Sequence, residues 1–298
     1  MIKYDAMSES DQVHSLEKAS TLVEALPYIR EHRGKIIVIK YGGHAMTSEK
    51  LSKSFAQDIS LIREVGIKPI IVHGGGPQIE KVLKKRKIKS DFIDGLRVTT
   101  KETVSIVADV LEKKVNKKIV KDIKDGGGKA ISLLGNKKNL IRAKKIKILS
   151  KSGKNKDIGF VGYPVEINTK LIHYYLNKNY IPVISPIGKD GNKIYNINAD
   201  TVAGVIAEKL KSNKIILLTD ISGVMNRNNK LIPEMKLKEA KKIIKNKHVK
   251  GGMRPKIETC IKALNKGVNE ATILDGRIKH AIILELFTII GVGTQIKR

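Results

Sequence analysis

Cysteine is nearly missing from this chain: one residue, Cys260, in 298. A single thiol excludes an intramolecular disulfide framework and a multi-cysteine zinc site, and it suits a reducing compartment such as the cytoplasm. Tryptophan is absent and aromatic residues make up only 4%, so no stacking platform for single-stranded nucleic acid is evident. No apolar run approaches the ~18–20 residues that cross a bilayer. The opening MIKYDAMSESDQ has no basic start followed by an apolar stretch, so a secretory signal is not expected. Acidic residues are scarce too, 29 against 58 Lys and Arg, for a formal charge of +29. That excess raises a nucleic-acid reading. Lysine, however, supplies 48 of the cations and arginine ten, and the lysines are spread along the chain. Specific readers of bases and phosphates favour the arginine fork. A solvated lysine-rich surface is the better reading, with non-specific polyanion contact expected at low salt.

What is present is regular. The chain is 41% hydrophobic and 29% charged, the balance of a soluble globular protein, with length for a large core. Residues 15–31 carry Ala19, Leu22, Val23, Leu26 and Ile29 at helical spacing, an amphipathic helix ahead of the main fold, with Pro27 expected to kink or fray its last turn. Strand patterns at 35–40, 69–73, 130–134, 181–184, 214–219 and 271–274 alternate with helix patterns at 51–65, 100–124, 170–177, 199–210, 237–245, 256–264 and 279–287. Glycine turns punctuate them, and Pro77 stands where a helix should open. A strand near 294–296 closes the chain. The lysine-rich stretch 136–163 reads as hairpins over one end of the sheet, and another hairpin leads into Tyr195. Repeated strand, glycine turn and helix predict an α/β fold, a three-layer αβα sandwich around a mostly parallel sheet. No Pro/Gly/Ser-rich linker divides the chain, so one compact unit with two lobes is expected.

Ligands of open α/β sheets bind beyond the carboxyl ends of the strands. Glycine clusters stand there: Lys40-Tyr41-Gly42-Gly43, His73-Gly74-Gly75-Gly76-Pro77 and Lys250-Gly251-Gly252-Met253. Taken singly each is a tight turn. Together, two of them with a lysine at the loop, they point to an anion site built from backbone N–H groups and helix N-termini. The P-loop and dinucleotide fingerprints are missing, since Gly128-Lys129 is followed by Ala130 and no G-x-G-x-x-G occurs. No protein-kinase signature, G-x-S-x-G or metal-type histidine spacing is present. His44 and His73 flank glycine loops and help to shape them, and Cys260 falls on an apolar helix stripe. Asn196-Ile197-Asn198-Ala199-Asp200 lies between a hairpin and a helix, where Asn198 or Asp200 would serve as a cap.

These motifs, with Gly95-Leu96-Arg97-Val98-Thr99, Gly159-Phe160-Val161-Gly162, Leu218 to Val224, and Glu285-Leu286-Phe287-Thr288 followed by Gly291-Val292-Gly293-Thr294, resemble the N-acetylglutamate kinases of the amino acid kinase family. The resemblance runs from about residue 15 to 296. It implies ATP-dependent phosphorylation of the γ-carboxylate of N-acetyl-L-glutamate, early in arginine biosynthesis. Lys40 and Lys256 would flank the transferring phosphoryl group, and Asp200 would organise both lysines. Gly75, Gly76, Arg97, Asn196 and Asn198 would bind N-acetylglutamate. Gly42, Gly43, Thr219, Asp220, Ser222, Gly223, Val224, Gly251, Gly252 and Met253 would border ATP. Mg²⁺ would ride mainly on the nucleotide, with no fixed protein metal site expected. The family's arginine-sensitive members further imply a hexamer laced by the N-terminal helix, and arginine inhibition at a site matched by Glu285, Gly291 and Thr272. The implied organisation is an extension at 1–34, an N-acetylglutamate lobe at 35–187 and an ATP lobe at 188–298. No membrane and no specific nucleic acid would be partners. Tyr163 stands where the family commonly has Glu, and Thr272 where sensitive members tend to have His. Two other readings remain open at this point: a sister kinase acting on a different carboxylate, and a nucleic-acid binder using the basic surface.

Overall fold

A computed structural model describes residues 8–149, 155–245, 249, 252–289 and 291–298. The first helix, α1 (Glu9–His32), is capped by Ser8, whose hydroxyl accepts from the Asp11 N–H at 3.2 Å. It continues through Pro27 to His32, so the last turn is not frayed. Proline removes the N–H that would bond the carbonyl of Val23. Val23 is 69% exposed, on a side of the helix where water can take that carbonyl instead.

Strand–turn–helix units follow: β1 (Ile36–Tyr41), α2 (Glu49–Glu64), β2 (Lys68–His73) and α3 (Gly76–Lys85). A hairpin, β3 (Phe92–Ile93) and β4 (Leu96–Arg97), precedes α4 (Lys101–Asp109). The segment Val110–Asn116 is wound as a π-helix and passes into α5 (Lys117–Asp125), so the single helix expected over 100–124 is one rod with a wide turn in its middle. Then come β5 (Ala130–Leu134), β6 (Ile141–Lys145), β7 (Ile148–Leu149), β8 (Asn155–Lys156), β9 (Gly162–Ile167) and α6 (Thr169–Asn177). The second half contains β10 (Ile181–Ser185), β11 (Ile187–Asp190), β12 (Lys193–Asn196), α7 (Ala199–Lys209), β13 (Lys214–Thr219), β14 (Glu234–Lys236) and α8 (Leu237–Lys245). It ends with α9 (Met253–Asn265), β15 (Glu270–Asp275), α10 (Ala281–Phe287) and β16 (Gly293–Lys297). Starting at Met253 rather than 256, α9 holds Lys256 in its first turn.

The main sheet has eight strands in the order β14-β16-β15-β13-β1-β2-β10-β5. From β15 to β5 every pairing is parallel, and β16 runs against β15. Alternation along the strands builds two cores. Ile37, Ile39, Ile71 and Ile216 face one helical layer with Phe55, Ile59, Leu111 and Ile123. Val38, Ile70, Val72, Ile215 and Leu217 face the other, with Val202, Ile206, Ile257 and Cys260. Both faces covered is what strands rich in Ile and Val require. A smaller sheet, β12-β11-β6-β9, stands over the strand ends, as the hairpin reading of 136–163 anticipates; Gly153 of that stretch lies outside the described residues. Ala25, Tyr28 and Ile29 of α1 pack on the first core. Its Val13, Leu16, Leu22 and Val23 stand in the open. Among the described residues no helix is long and apolar enough to cross a membrane.

Candidate active site

Four adjacent parallel strands, β13, β1, β2 and β10, end on one edge of the sheet. There β1 runs into Gly42 and β2 into Gly74-Gly75-Gly76, around a cleft of about 280 Å³. Its lining includes Lys40, Gly42, Gly43, Gly75, Gly76, Arg97, Asn196, Asn198, Asp200 and Lys256. Every residue expected from the sequence to act on the phosphoryl group or the acceptor is thus brought to one place. Tyr163 lies outside this lining, beside α7 and α9.

Charge organises the cleft. Asp200 sits in the first turn of α7, whose end is capped by Asn198, its side-chain oxygen accepting from the Thr201 N–H at 3.1 Å. Asn198 therefore caps the helix and lines the cleft together. The Asp200 carboxylate meets Lys256 Nζ at 2.7 Å through Oδ2 and Lys40 Nζ at 3.3 Å through Oδ1. All three side chains are nearly buried. Burial on its own would raise the Asp200 pKa, but the two ammonium groups override it and hold the carboxyl at about 2. Burial pulls Lys40 down, and Asp200 opposes the shift. A Cβ on Gly42 would lie 2.6 Å from Lys40 Nζ, so glycine is what lets the ammonium lie across the loop.

Arg97 is held by three protein partners. Its guanidinium donates to Glu80 Oε2 at 2.8 Å and to Ser90 Oγ, and lies 4.5 Å over the Phe92 ring. Glu80 is about half exposed, so it can turn into water and free the fork for another carboxylate. Asn196 donates to Thr99 Oγ1 at 3.2 Å. Sequence reasoning missed Glu80, Ser90 and Phe92. Nothing local distinguishes a glutamate on α3 from its solvated neighbours.

Of the expected nucleotide residues among those described, Gly42 and Gly43 line the cleft and the others do not. Thr219 ends β13, and Asp220, Ser222, Gly223 and Val224 follow it, beyond the lining of the cleft. Val224 is buried, and its N–H donates to Thr294 Oγ1 at 2.8 Å. Gly252 precedes α9, and the Met253 side chain is part of the core, so only backbone there can meet a ligand. Gly251 lies outside the described residues.

Residues 35–275 match the profile of the Amino acid kinase family. The chain belongs to that family. The kinase is 50% identical over 290 residues to the acetylglutamate kinase of Rhodospirillum centenum, covering 95% of each chain. It is also 50% identical over 286 residues to that of Syntrophus aciditrophicus, covering 94% of this chain and 97% of the other. The fold is shared with the N-acetylglutamate synthase of Neisseria gonorrhoeae complexed with coenzyme A and N-acetyl-glutamate, at a TM-score of 0.84 and 24% identity. That match covers 94% of the kinase and 63% of the synthase chain.

At the opposite end of β13 the kinase has a second cavity, of about 550 Å³, between α1 and the β14–β16 edge. Glu285 and Gly291 line it, with His32, Lys214 and Glu270, which sequence reasoning did not single out. Buried Glu285 pairs with Lys214 Nζ at 2.8 Å and accepts from Thr272 Oγ1 at 2.8 Å. Thr272 therefore holds Glu285 from behind and does not line the cavity. A lysine opening an otherwise apolar strand, Lys214 in KIILLT, was the available signal.

Proposed function

We propose that this kinase transfers the γ-phosphoryl group of ATP to the γ-carboxylate of N-acetyl-L-glutamate, an early step of arginine biosynthesis. The observation that carries the reading is the buried Lys40–Asp200–Lys256 triad at the meeting of two glycine loops. The curated acetylglutamate kinases, 45–50% identical over nearly the whole chain, support it.

The chemistry is electrostatic. A carboxylate acceptor with an ordinary pKa near ~4.3 is already ionised at neutral pH, so no general base is required. The barrier is the approach of one anion to another and the spread of charge over the phosphoryl oxygens. Lys40 and Lys256 would face that charge from β1 and α9, with Asp200 fixing both in place. Gly75 and Gly76 would donate backbone N–H groups to the acceptor. Arg97 would exchange Glu80 for the acceptor's α-carboxylate, and Asn196 and Asn198 would hold the acetamido end. ATP would lie along Gly42, Gly43, the turn from Thr219 to Val224, and the Gly251–Gly252–Met253 backbone. Residues 188–298 would serve mainly the nucleotide and 35–187 mainly the acceptor, with Gly42 and Gly43 reaching ATP from the first lobe and Asn196 and Asn198 reaching the acceptor from the second. Asp200, the buried carboxylate of the cleft, is already paired with two lysines, so Mg²⁺ would be held mainly by the ATP phosphates. When bound, the ion offsets phosphate charge.

A coupled ADP-release assay across N-acetylglutamate, glutamate, aspartate and N-acetylaminoadipate tests this reading. The expected result is turnover with N-acetylglutamate and at least tenfold lower kcat/KM for the others. Preference for a free amino acid would overturn the substrate assignment.

Regulation forms the second part of the reading. The cavity beside α1 gathers Glu31, Glu234, Glu270 and Glu285 against Lys214 and Lys297, an excess of carboxylates that suits a cationic ligand. Arginine would bind there as feedback inhibitor, its guanidinium to Glu285. The open apolar residues of α1 would pair dimers into a cytoplasmic hexamer.

A further inference from the structure

We infer that His73 and Asn116 form a positioning relay that sets the peptide plane of the acceptor's glycine loop. The inference rests on the reading of Gly75 and Gly76 as the acceptor's seat. Asn116 is the last residue of the π-wound segment and is fully buried. Its Nδ2 lies 3.0 Å from the Val183 carbonyl of β10 and 3.1 Å from His73 Nε2, at the end of β2. On the other side of the ring, Nδ1 lies 2.7 Å from the Gly74 carbonyl.

Two carbonyl oxygens decide every proton in this chain of contacts. A carbonyl can only accept, so the Asn116 atom facing Val183 is the amide nitrogen. The same nitrogen must then donate to Nε2, which leaves the imidazole proton on Nδ1, aimed at Gly74. The ring that this requires is neutral. Burial pushes the His73 pKa down to about 4, against the opposing pull of Gly74, which agrees with the geometry.

The consequence lies one bond further on. No peptide in the described chain is cis, so the Gly74 carbonyl and the Gly75 N–H point in opposite directions from their shared plane. Holding the carbonyl back toward His73 turns the Gly75 N–H the other way. The π-wound segment supplies the second constraint. A Cβ on Gly75 would meet Leu111 Cδ2 at 2.5 Å, so the rod that carries Asn116 also packs down on the glycine. His73 touches neither substrate nor phosphoryl group in this scheme. It acts through Gly74.

Two isosteres separate this role from simple packing. The amide nitrogen of asparagine falls near the position of Nδ1, and that of glutamine near Nε2. His73→Asn therefore keeps a donor toward Gly74, and His73→Gln loses it. His73→Gln should raise KM for N-acetylglutamate about tenfold, the scale of one lost hydrogen bond, with KM for ATP within twofold. His73→Asn should recover most of that loss. Equal damage from both variants, or equal shifts in both KM values, would overturn the relay. A measurement on the unmodified chain covers the case in which neither variant folds. Long-range ¹H–¹⁵N spectra of the imidazoles should show one histidine neutral and Nδ1-protonated throughout pH 5.5–8, and its absence overturns the inference. An unmodified enzyme that shows this tautomer but does not turn over N-acetylglutamate would refute the substrate reading instead.

Discussion

Lys40 and Lys256 stand 216 residues apart in sequence, and the Asp200 carboxylate meets one ammonium group with each of its oxygens. Each member can be tested alone. Lys256→Ala should lower kcat by roughly 10²–10³-fold, the scale of one electrostatic donor lost from a transition state. A kcat within threefold of the parent, in a folded variant, would remove Lys256 from the chemistry. Asp200 contributes differently, through pH. Its carboxyl is held at about 2 against an ordinary 3.8, so the unfolded chain binds its proton first as the solution is acidified. The stabilisation is complete above about pH 4 and disappears as pH falls toward 2. Asp200→Asn should therefore flatten the acid limb of stability over that window, as read by urea unfolding at stepped pH. Arg97→Lys should raise KM for N-acetylglutamate and spare that for ATP, because lysine cannot reproduce a bidentate fork. Steady-state kinetics with each substrate varied would decide. At this scale much was legible. The lysines, Asp200 and the glycines stand in short motifs whose residue types announce anion chemistry. Glu80, the present partner of Arg97, was not legible, because a contact between α3 and β4 exists only after folding.

Helices and strands were readable to within a few residues where a single physical rule governs them. Short apolar runs rich in Ile marked β1, β2 and β13, and the cap candidate Asn198 stands where α7 begins. The π-wound segment escaped, since one wide turn inside a long rod barely disturbs the apolar periodicity. The helix expected at 279–287 starts two residues later, at Ala281, and what seats α10 was not readable. It is docked by a contact distant in sequence: Asp58 of α2 accepts from His280 Nδ1 at 2.6 Å and from the N–H groups of Ile282 and Ile283. Ser54 Oγ accepts the His280 N–H at 3.0 Å. Burial raises the Asp58 carboxyl to about 6, and the donors around it only partly offset this. The native chain thus holds this proton more tightly than the unfolded one. The contribution is favourable below about pH 4 and is lost as pH rises through 6. Asp58→Asn should remove that dependence, leaving a smaller fall in unfolding free energy between pH 4 and 6 than the parent shows.

For the molecule as a whole, the expected outcome of shortening the chain to begin at Arg33 is a change of mass and of regulation together. The full chain should behave as a hexamer inhibited by millimolar arginine. The shortened one should run as a dimer with a weaker response, since the helix that would link dimers also walls the second cavity. Light scattering and activity against arginine concentration would measure both, and a shortened chain that stays hexameric and equally sensitive would sink the coupling. Cys260, the sole thiol, lies fully buried on α9 one turn after Lys256, its pKa pushed up to about 12 by burial. It is sealed from reagents and held as the unreactive thiol while α9 stays seated. Nature has thus left a stopwatch under the helix that carries Lys256. The rate at which an alkylating reagent finds the sulfur counts how often α9 lifts from the sheet, with no second cysteine to blur the signal. Saturating a nucleotide analogue should slow that clock in proportion to how firmly the ligand clamps the helix down.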